Sequence, residues 1–550
     1  MALRKTFVAL LVGGGLAAAS AAGAAALQHI QTLYDFDPQS DRVDGIVGSP
    51  DGRHVYTADI NGGISAFSRD GATGLLTFMQ RIVTPAPDGR YCEYAFVAVS
   101  PDGSTVYATC TESEGPDAAT SYGLTAYRRD PNSGLLTFVQ GLPDVLDDYI
   151  SGPWHVAVSP DGARVYLANH YGHGGLAVFT RNTQTGALTR QAFVTVGDRG
   201  AGVAVSPDGA HVYLTSEYET LAAWRATPSG LDLIAVYTDS PSGALVDGGD
   251  QIVVSSDGRH VYATALDAQL GAWTRDPGTG ALSFLERVDL GVGYTDRHEG
   301  LGISPDGRYL VATADSGQDV LLSRDPATGH LTRLEQVNGL GNWVSFSPDG
   351  RDVYIGDQGG AEIYRLPDPC ETPATGCRQQ SMPGKGSLVV KDDPDHRKDT
   401  VVWKWQKGSA TTVADFGDPR AGTGYALCLY DRSGAGGTLA LKMAAAAPPG
   451  RICRTKPCWA LASKGAIPIG YNFTDALRTI TGMNRVVLRQ GGTGAANITA
   501  KAGGAALDTP APPFTGTVTV QLKSSDGVCW QADYSTPLLN QPGSYRAHGD

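Results

Sequence analysis

The stretch "SGPWHVAVSPDGARVYLANH", residues 151–170, alternates apolar and polar residues, breaks at Ser-Pro-Asp-Gly, and alternates again. Alternation with period two is the signature of a half-buried strand, and Ser-Pro-Asp-Gly is turn chemistry. Proline presets φ at the second turn position, aspartate suits the third, and glycine closes the turn. The stretch therefore predicts two antiparallel strands joined by a tight turn.

The unit recurs. "GIVGSPDGRHVYTAD" starts at Gly45, "FVAVSPDGSTVYATC" at Phe96 and "GVAVSPDGAHVYLTS" at Gly202. "QIVVSSDGRHVYATA" starts at Gln251, "GLGISPDGRYLVATA" at Gly300 and "WVSFSPDGRDVYIGD" at Trp343. With the first stretch these make seven copies, whose turn serines are Ser49, Ser100, Ser159, Ser206, Ser255, Ser304 and Ser347. A period of about 50 residues marks a repeat architecture. Each hairpin leads into a third strand ("GISAFSRD", "GLTAYRRD", "GLAVFTRN"), a second turn ("PNSG", "PGTG", "PATG") and a fourth strand such as "LLTFVQGL". Four antiparallel strands repeated seven times describe an all-β, seven-bladed propeller.

The seventh unit holds only three strands before "PDPCETPATG". An unclosed ring would leave an exposed sheet edge. The run "LQHIQTLYD" from Leu27 has the pattern of a fourth strand, so the N-terminal strand is expected to complete the last blade. The expected organisation is an export signal over 1–26, a propeller over 27–367, a linker over 368–386 and a smaller β-sandwich-like domain over 387–550. The second domain rests on short alternating runs such as "TVVWKWQKG", "YALCLYD" and "TVTVQLKSSDG" between Gly- and Pro-rich turns. Its Trp403, Trp405 and Trp530 are read as core, with a sugar-stacking platform as the other option.

Arg4 and Lys5, the apolar run after them and "AAGAAA" read as a signal peptide, which predicts a periplasmic or extracellular protein with no membrane span in the mature chain. A formal net charge of −13 argues against nucleic acid as a partner. The eight cysteines fit an oxidising compartment and show no zinc spacing, and no cofactor is expected. Cys92 and Cys110 flank one hairpin and are expected to pair. Cys370–Cys377, Cys428–Cys529 and Cys453–Cys458 are the pairings preferred for the rest.

In a propeller, the residues just before each turn serine gather at one mouth of the central channel. They include Arg42, Arg90, Trp154, His155, Arg199, Arg297, His298 and Glu299, and the adjoining strand-two loops add His170 and His173. Asp-Arg pairs recur at 41/42, 198/199 and 296/297. Such guanidinium groups can grip a carboxylate, or they can brace the ring by pairing with neighbouring carboxylates.

The repeats resemble the lactonase-type (YVTN-like) seven-bladed propellers, which include 6-phosphogluconolactonases and carboxymuconate cyclases. The resemblance rests on "SPDG..VY" and "RDP.TG.L" and spans about residues 27–367. It implies that His155, in "GPWH", and Glu299 are the catalytic positions. Their place at the mouth makes Arg42, Arg90, Arg199, Arg297, His298, Trp154 and His170 the residues expected to surround the substrate. Two departures stand out. Trp154 replaces the arginine of the family's "GPRH", and Glu299 lies five rather than four residues before its turn serine. The function expected is binding of an anionic small molecule, or of an envelope or extracellular partner, at the charged mouth. The alternative is hydrolysis or cycloisomerisation of an acidic sugar lactone or muconate-type lactone.

Overall fold

The computed structural model describes residues 27–550 apart from 35–42, 60–62, 72, 84–91, 95, 113–121, 145–148, 172–173, 196–198, 218–219, 239–248, 266–268, 292–299, 315–317, 339–340, 358, 367–368, 421–422, 448, 450–451, 454–455, 477–481, 505–506 and 508. The expected signal segment, 1–26, lies outside the described residues.

Each Ser-Pro-Asp-Gly makes the same turn. In blade 3 the Gly162 N–H donates to the Ser159 carbonyl at 2.8 Å, and Gly162 takes φ +70°, a conformation that disfavours a Cβ. Ser159 Oγ donates to Asp161 Oδ1 at 2.6 Å and accepts the Arg164 N–H at 2.9 Å. The serine and aspartate thereby lock the hairpin from inside the turn. Four antiparallel strands then form each of the seven sheets. In blade 3 these are Pro153–Val158, Arg164–Asn169, Gly175–Arg181 and Leu188–Val194. Apolar faces of neighbouring blades interlock: Tyr107, Leu124 and Ala126 of blade 2 pack on Val156, Leu167 and Phe179 of blade 3.

The ring closes as the sequence predicts. Gln28–Tyr34 pairs with Gly360–Arg365 as the outer strand of blade 7. Gln31 also exchanges hydrogen bonds with the Leu76 backbone of blade 1, at 3.0 and 2.7 Å. Gln80 does the same with Leu136, and Gln140 with Leu188. The N-terminal strand thus carries the outer-strand brace found in the continuous blades.

A second device joins the blades near the turns. The arginine ending a third strand reaches into the preceding blade. Arg129 donates to Asp51 at 2.7 Å and to Tyr56 Oη at 2.8 Å. Arg181 does so with Asp102 and Tyr107, Arg275 with Asp208 and Tyr213, and Arg324 with Asp257 and Tyr262. Arg69 of blade 1 grips Asp349 and Asp352 of blade 7. The recurring Asp and Arg of the repeat motifs are therefore the halves of an inter-blade clasp. Buried guanidinium–carboxylate pairs of this kind are tolerated because each group is also hydrogen-bonded.

The second domain is a sandwich of an eight-stranded and a four-stranded sheet. Trp403, Trp405 and Trp530 are all fully buried in its core, so none of them forms an exposed sugar platform.

Two expected disulfides are corrected. Cys370 pairs with Cys428 and Cys377 with Cys529, while Cys453–Cys458 is as expected. The reason is that the segment after the propeller lies against the second domain rather than folding on itself. Arg378 bridges to Trp530, and Tyr430 Oη donates to the Cys370 carbonyl at 2.7 Å. Cys110 is disulfide-bonded; the Cys92 side chain lies outside the described residues. Among the described residues, no helix is long and apolar enough to cross a membrane.

Candidate functional site at the channel mouth

The inner strand of each blade runs from the mouth to the Ser-Pro-Asp-Gly turn, so its first residues stand at the end opposite the clasps. Trp154 and His155 open the inner strand of blade 3. His170 follows the second strand of that blade, where its N–H donates to the Gly152 carbonyl at 2.8 Å. In blade 4, Arg199 precedes the inner strand Gly200–Val205 and Glu217 follows the second strand His211–Ser216. Their backbones are joined by the Glu217 N–H to the Arg199 carbonyl, at 3.0 Å.

These side chains form one chain of contacts across the seam between blades 3 and 4. The Trp154 indole stacks on the His170 imidazole, with centroids 4.3 Å apart and planes 22° from parallel. His170 Nε2 lies 3.5 Å from Glu217 Oε2, which accepts from Arg199 Nη1 at 3.0 Å. Burial falls along the chain: Trp154 and His170 are buried, whereas the Arg199 side chain is 46% exposed. A guanidinium thus faces solvent at the mouth, its inner side held by a carboxylate, with a flat aromatic pair behind it.

His155 points elsewhere. Its Nδ1 accepts the Val203 N–H of blade 4 at 2.9 Å, so the ring proton resides on Nε2. Its ring meets Phe96 and Trp343 edge-on, at 5.9 and 5.0 Å, and Phe96 meets Trp343 at 5.0 Å. Blade 7, which supplies Trp343, neighbours neither blade 2 nor blade 3. These contacts therefore cross the ring's axis, and the aromatic group forms a plug beneath the mouth. His155 is part-buried among these rings, and the lost hydration of an imidazolium pushes its pKa down to about 3.

Of the residues expected at the site, the structure brings together Trp154, His170 and Arg199, and places His155 in the aromatic plug beneath them. Arg42, Arg90, Arg297, His298 and Glu299 lie outside the described residues, as does His173. Asp44, on the inner strand of blade 1, and Asp250, two residues before that of blade 5, are buried. Glu217 was not singled out by the sequence. Only its place after a second strand, level with His170 in the repeat register, could have flagged it. Among the described residues, the group with metal-ligand spacing is Asp392, His396 and Asp399 of the second domain, not at the mouth.

The sequence profile of the family described as "Lactonase, 7-bladed beta-propeller" matches residues 55–204 and 194–348. No curated protein matches the chain. Among solved structures, the periplasmic gluconolactonase PpgL of Pseudomonas aeruginosa is 25% identical, with a TM-score of 0.47, over 56% of this chain and 88% of that one. A Bacteroides fragilis protein provisionally assigned as a 6-phosphogluconolactonase is 19% identical, with a TM-score of 0.45, over 55% of this chain and 85% of that one. A Bacteroides uniformis protein with the same provisional assignment is 20% identical, with a TM-score of 0.44, over 54% and 86%.

Proposed function

The chain belongs to the seven-bladed lactonase propeller family, and from that premise we propose that it binds a small carboxylate-bearing ligand at the channel mouth. The supporting observation is the chain Trp154–His170–Glu217–Arg199. The Arg199 guanidinium, 46% exposed, is the group that would meet a carboxylate at the mouth, and the buried Trp154–His170 stack, set against Glu217, backs it. The signal peptide read from the sequence of residues 1–26, with the disulfides, supports a periplasmic or extracellular setting, where the ligand is an exogenous acid or its lactone.

Binding is preferred to hydrolysis for a chemical reason. A general base working near neutral pH needs a pKa near the working pH. His155 is far below it, and its unprotonated nitrogen already holds the Val203 N–H. The second reading, opening of an acidic lactone by water, draws its support from family membership. It would need a base other than His155, and Glu217 beside His170 is the candidate.

Titration calorimetry of the purified mature protein against aldonic and muconate-type acids and their lactones, with turnover followed in a pH-stat, tests both readings. The expected outcome is saturable binding of at least one acid, weakened more than tenfold by Arg199→Ala and little changed by His155→Gln. No binding across the panel, or binding indifferent to Arg199→Ala, overturns the mouth site. Turnover lost in Glu217→Gln would replace the binding reading with the hydrolytic one.

A further inference from the structure

The inter-blade clasp arginine is missing at two seams, and at the one between blades 6 and 7 nothing among the described residues replaces it. Between blades 6 and 7 the turn aspartate is kept: Asp306 Oδ1 accepts from Ser304 Oγ at 2.6 Å and from the Arg308 N–H at 3.0 Å, as in the other turns. Its partners are gone. The arginine position of blade 7 holds Leu366, fixed by the same backbone bond (to the Arg351 carbonyl) that Arg129 makes to Ser104. The tyrosine position of blade 6 holds Val311, two residues beyond Tyr309, where Tyr262 stands two beyond His260. The seam between blades 3 and 4 also lacks the arginine, with Ala226 in its place, but there Arg164 crosses to the Thr227 carbonyl. Nothing equivalent crosses from Tyr309 among the described residues.

This same seam borders a cavity of about 250 Å³. Asp306, Arg308, Tyr309, Arg351 and Leu366 line its propeller side together with Asp349, which already holds Arg69, and Ala426 and Ala444–Ala446 of the second domain line the other. Among the described residues, Asp306 Oδ2 makes no hydrogen bond. The cavity therefore presents a preset carboxylate, an aromatic ring and an apolar wall. Asp51, Asp102, Asp208, Asp257 and Asp349, at the matching turn position, each hold a guanidinium. Arg308 and Arg351 do not forbid a cation here, because arginine two residues after the turn aspartate stands beside working clasps at Arg53, Arg259 and Arg351 itself.

We propose that the cavity is a binding site for a small organic cation, an alkylguanidinium or alkylammonium. Its head pairs with Asp306 as the clasp arginines pair elsewhere, and its aliphatic stem lies on the alanine wall of the second domain. The site is separate from the mouth, at the opposite end of the blades, and joins the two domains through the ligand. The charged hydrogen bond supplies orientation and the alanines exclude water around the stem.

The probe is N-butylguanidinium, titrated calorimetrically into the full chain at about 150 mM salt, with N-butylurea as a neutral analogue of similar shape. N-butylguanidinium is expected to bind at one site and N-butylurea not to bind. Asp306→Asn is expected to weaken N-butylguanidinium more than tenfold. Leu366→Arg supplies the guanidinium from within; it is expected to abolish binding while raising the melting temperature, since arginine fills that position in five other seams. Failure of the wild type to bind N-butylguanidinium overturns the proposal, as does equal binding by Asp306→Asn or by Leu366→Arg.

Discussion

Arg69 and Asp352 meet across the chain closure, Nη2 to Oδ2 at 2.6 Å, with side-chain exposures of 3% and 0%. They belong to the first and last blades, and with the Gln28–Tyr34 strand they convert a row of sheets into a ring. Asp349 accepts from the same guanidinium at 2.8 Å, and Asp352 also takes Arg365.

Arg69→Ala leaves two carboxylates with less compensation at a buried seam. The expected cost is about 3–5 kcal/mol, read as a lower denaturant midpoint. Arg378→Ala, which breaks the part-exposed pair with Asp415, is expected to cost under about 1 kcal/mol. There is a pH counterpart. Burial pushes Asp349 up, but the charge of Arg69 and the Ser347 hydrogen bond outweigh it and hold its pKa below the usual value of 3.8. A depressed carboxylate stabilises the fold above its unfolded pKa, and that stabilisation is lost as pH falls through the folded one. Acid titration below about pH 4 should therefore erode the wild type more steeply than Arg69→Ala.

Asp319 predicts the opposite slope. It stands on the third strand of blade 6 where the other blades place Ile64, Leu124, Leu176, Leu221, Leu270 and Ala361. It is fully buried, accepting the Ala314 N–H at 3.2 Å, while its Oδ2 has no partner among the described residues. Burial, with a lesser push from Asp357, raises its pKa to about 8, against the backbone donors of Ala314 and Gly341. The folded state then keeps a proton that the unfolded state releases near pH 4. Stability should fall by about 1.4 kcal/mol per pH unit between those limits from this group alone. Asp319→Leu is expected to flatten that slope and to raise the melting temperature at pH 8. An unchanged slope would show that Asp319 is ionised in the fold.

His155 is expected to stay neutral. In a nitrogen-15 NMR titration its ring signals should not move between pH 4.5 and 9, with the proton on Nε2 throughout. His155→Leu removes the acceptor of the buried Val203 N–H, at a cost of about 1–3 kcal/mol. A titration near pH 6.5 would contradict the burial described for this ring.

The disulfides differ in the chain they close. Cys377–Cys529 spans 152 residues, Cys370–Cys428 spans 58, and Cys453–Cys458 spans 5. Loop-closure entropy assigns them about 5, 4 and 2 kcal/mol respectively. Paired serine replacement of Cys377 and Cys529 should therefore lower the second domain's melting temperature more than that of Cys453 and Cys458.

The amino-acid sequence by itself determined seven four-stranded units, their turns and the N-terminal closing strand. Those features are set by short windows: period-two alternation, Pro and Gly at fixed turn positions, and one unit left short of a strand. It also listed the halves of the clasps, as the Asp of each turn and the Arg of "FSRD" or "YRRD", without showing that they meet. Arg129 and Asp51 are 78 residues apart in the chain, and only the packing of one blade on the next makes them neighbours. Tertiary structure alone decided that His155 joins an aromatic plug rather than lining the mouth, since its neighbours come from blades 2, 4 and 7. It alone decided the pairing of Cys370 and Cys377, because a disulfide follows distance in space, and those sulfurs lie against the second domain's sheet.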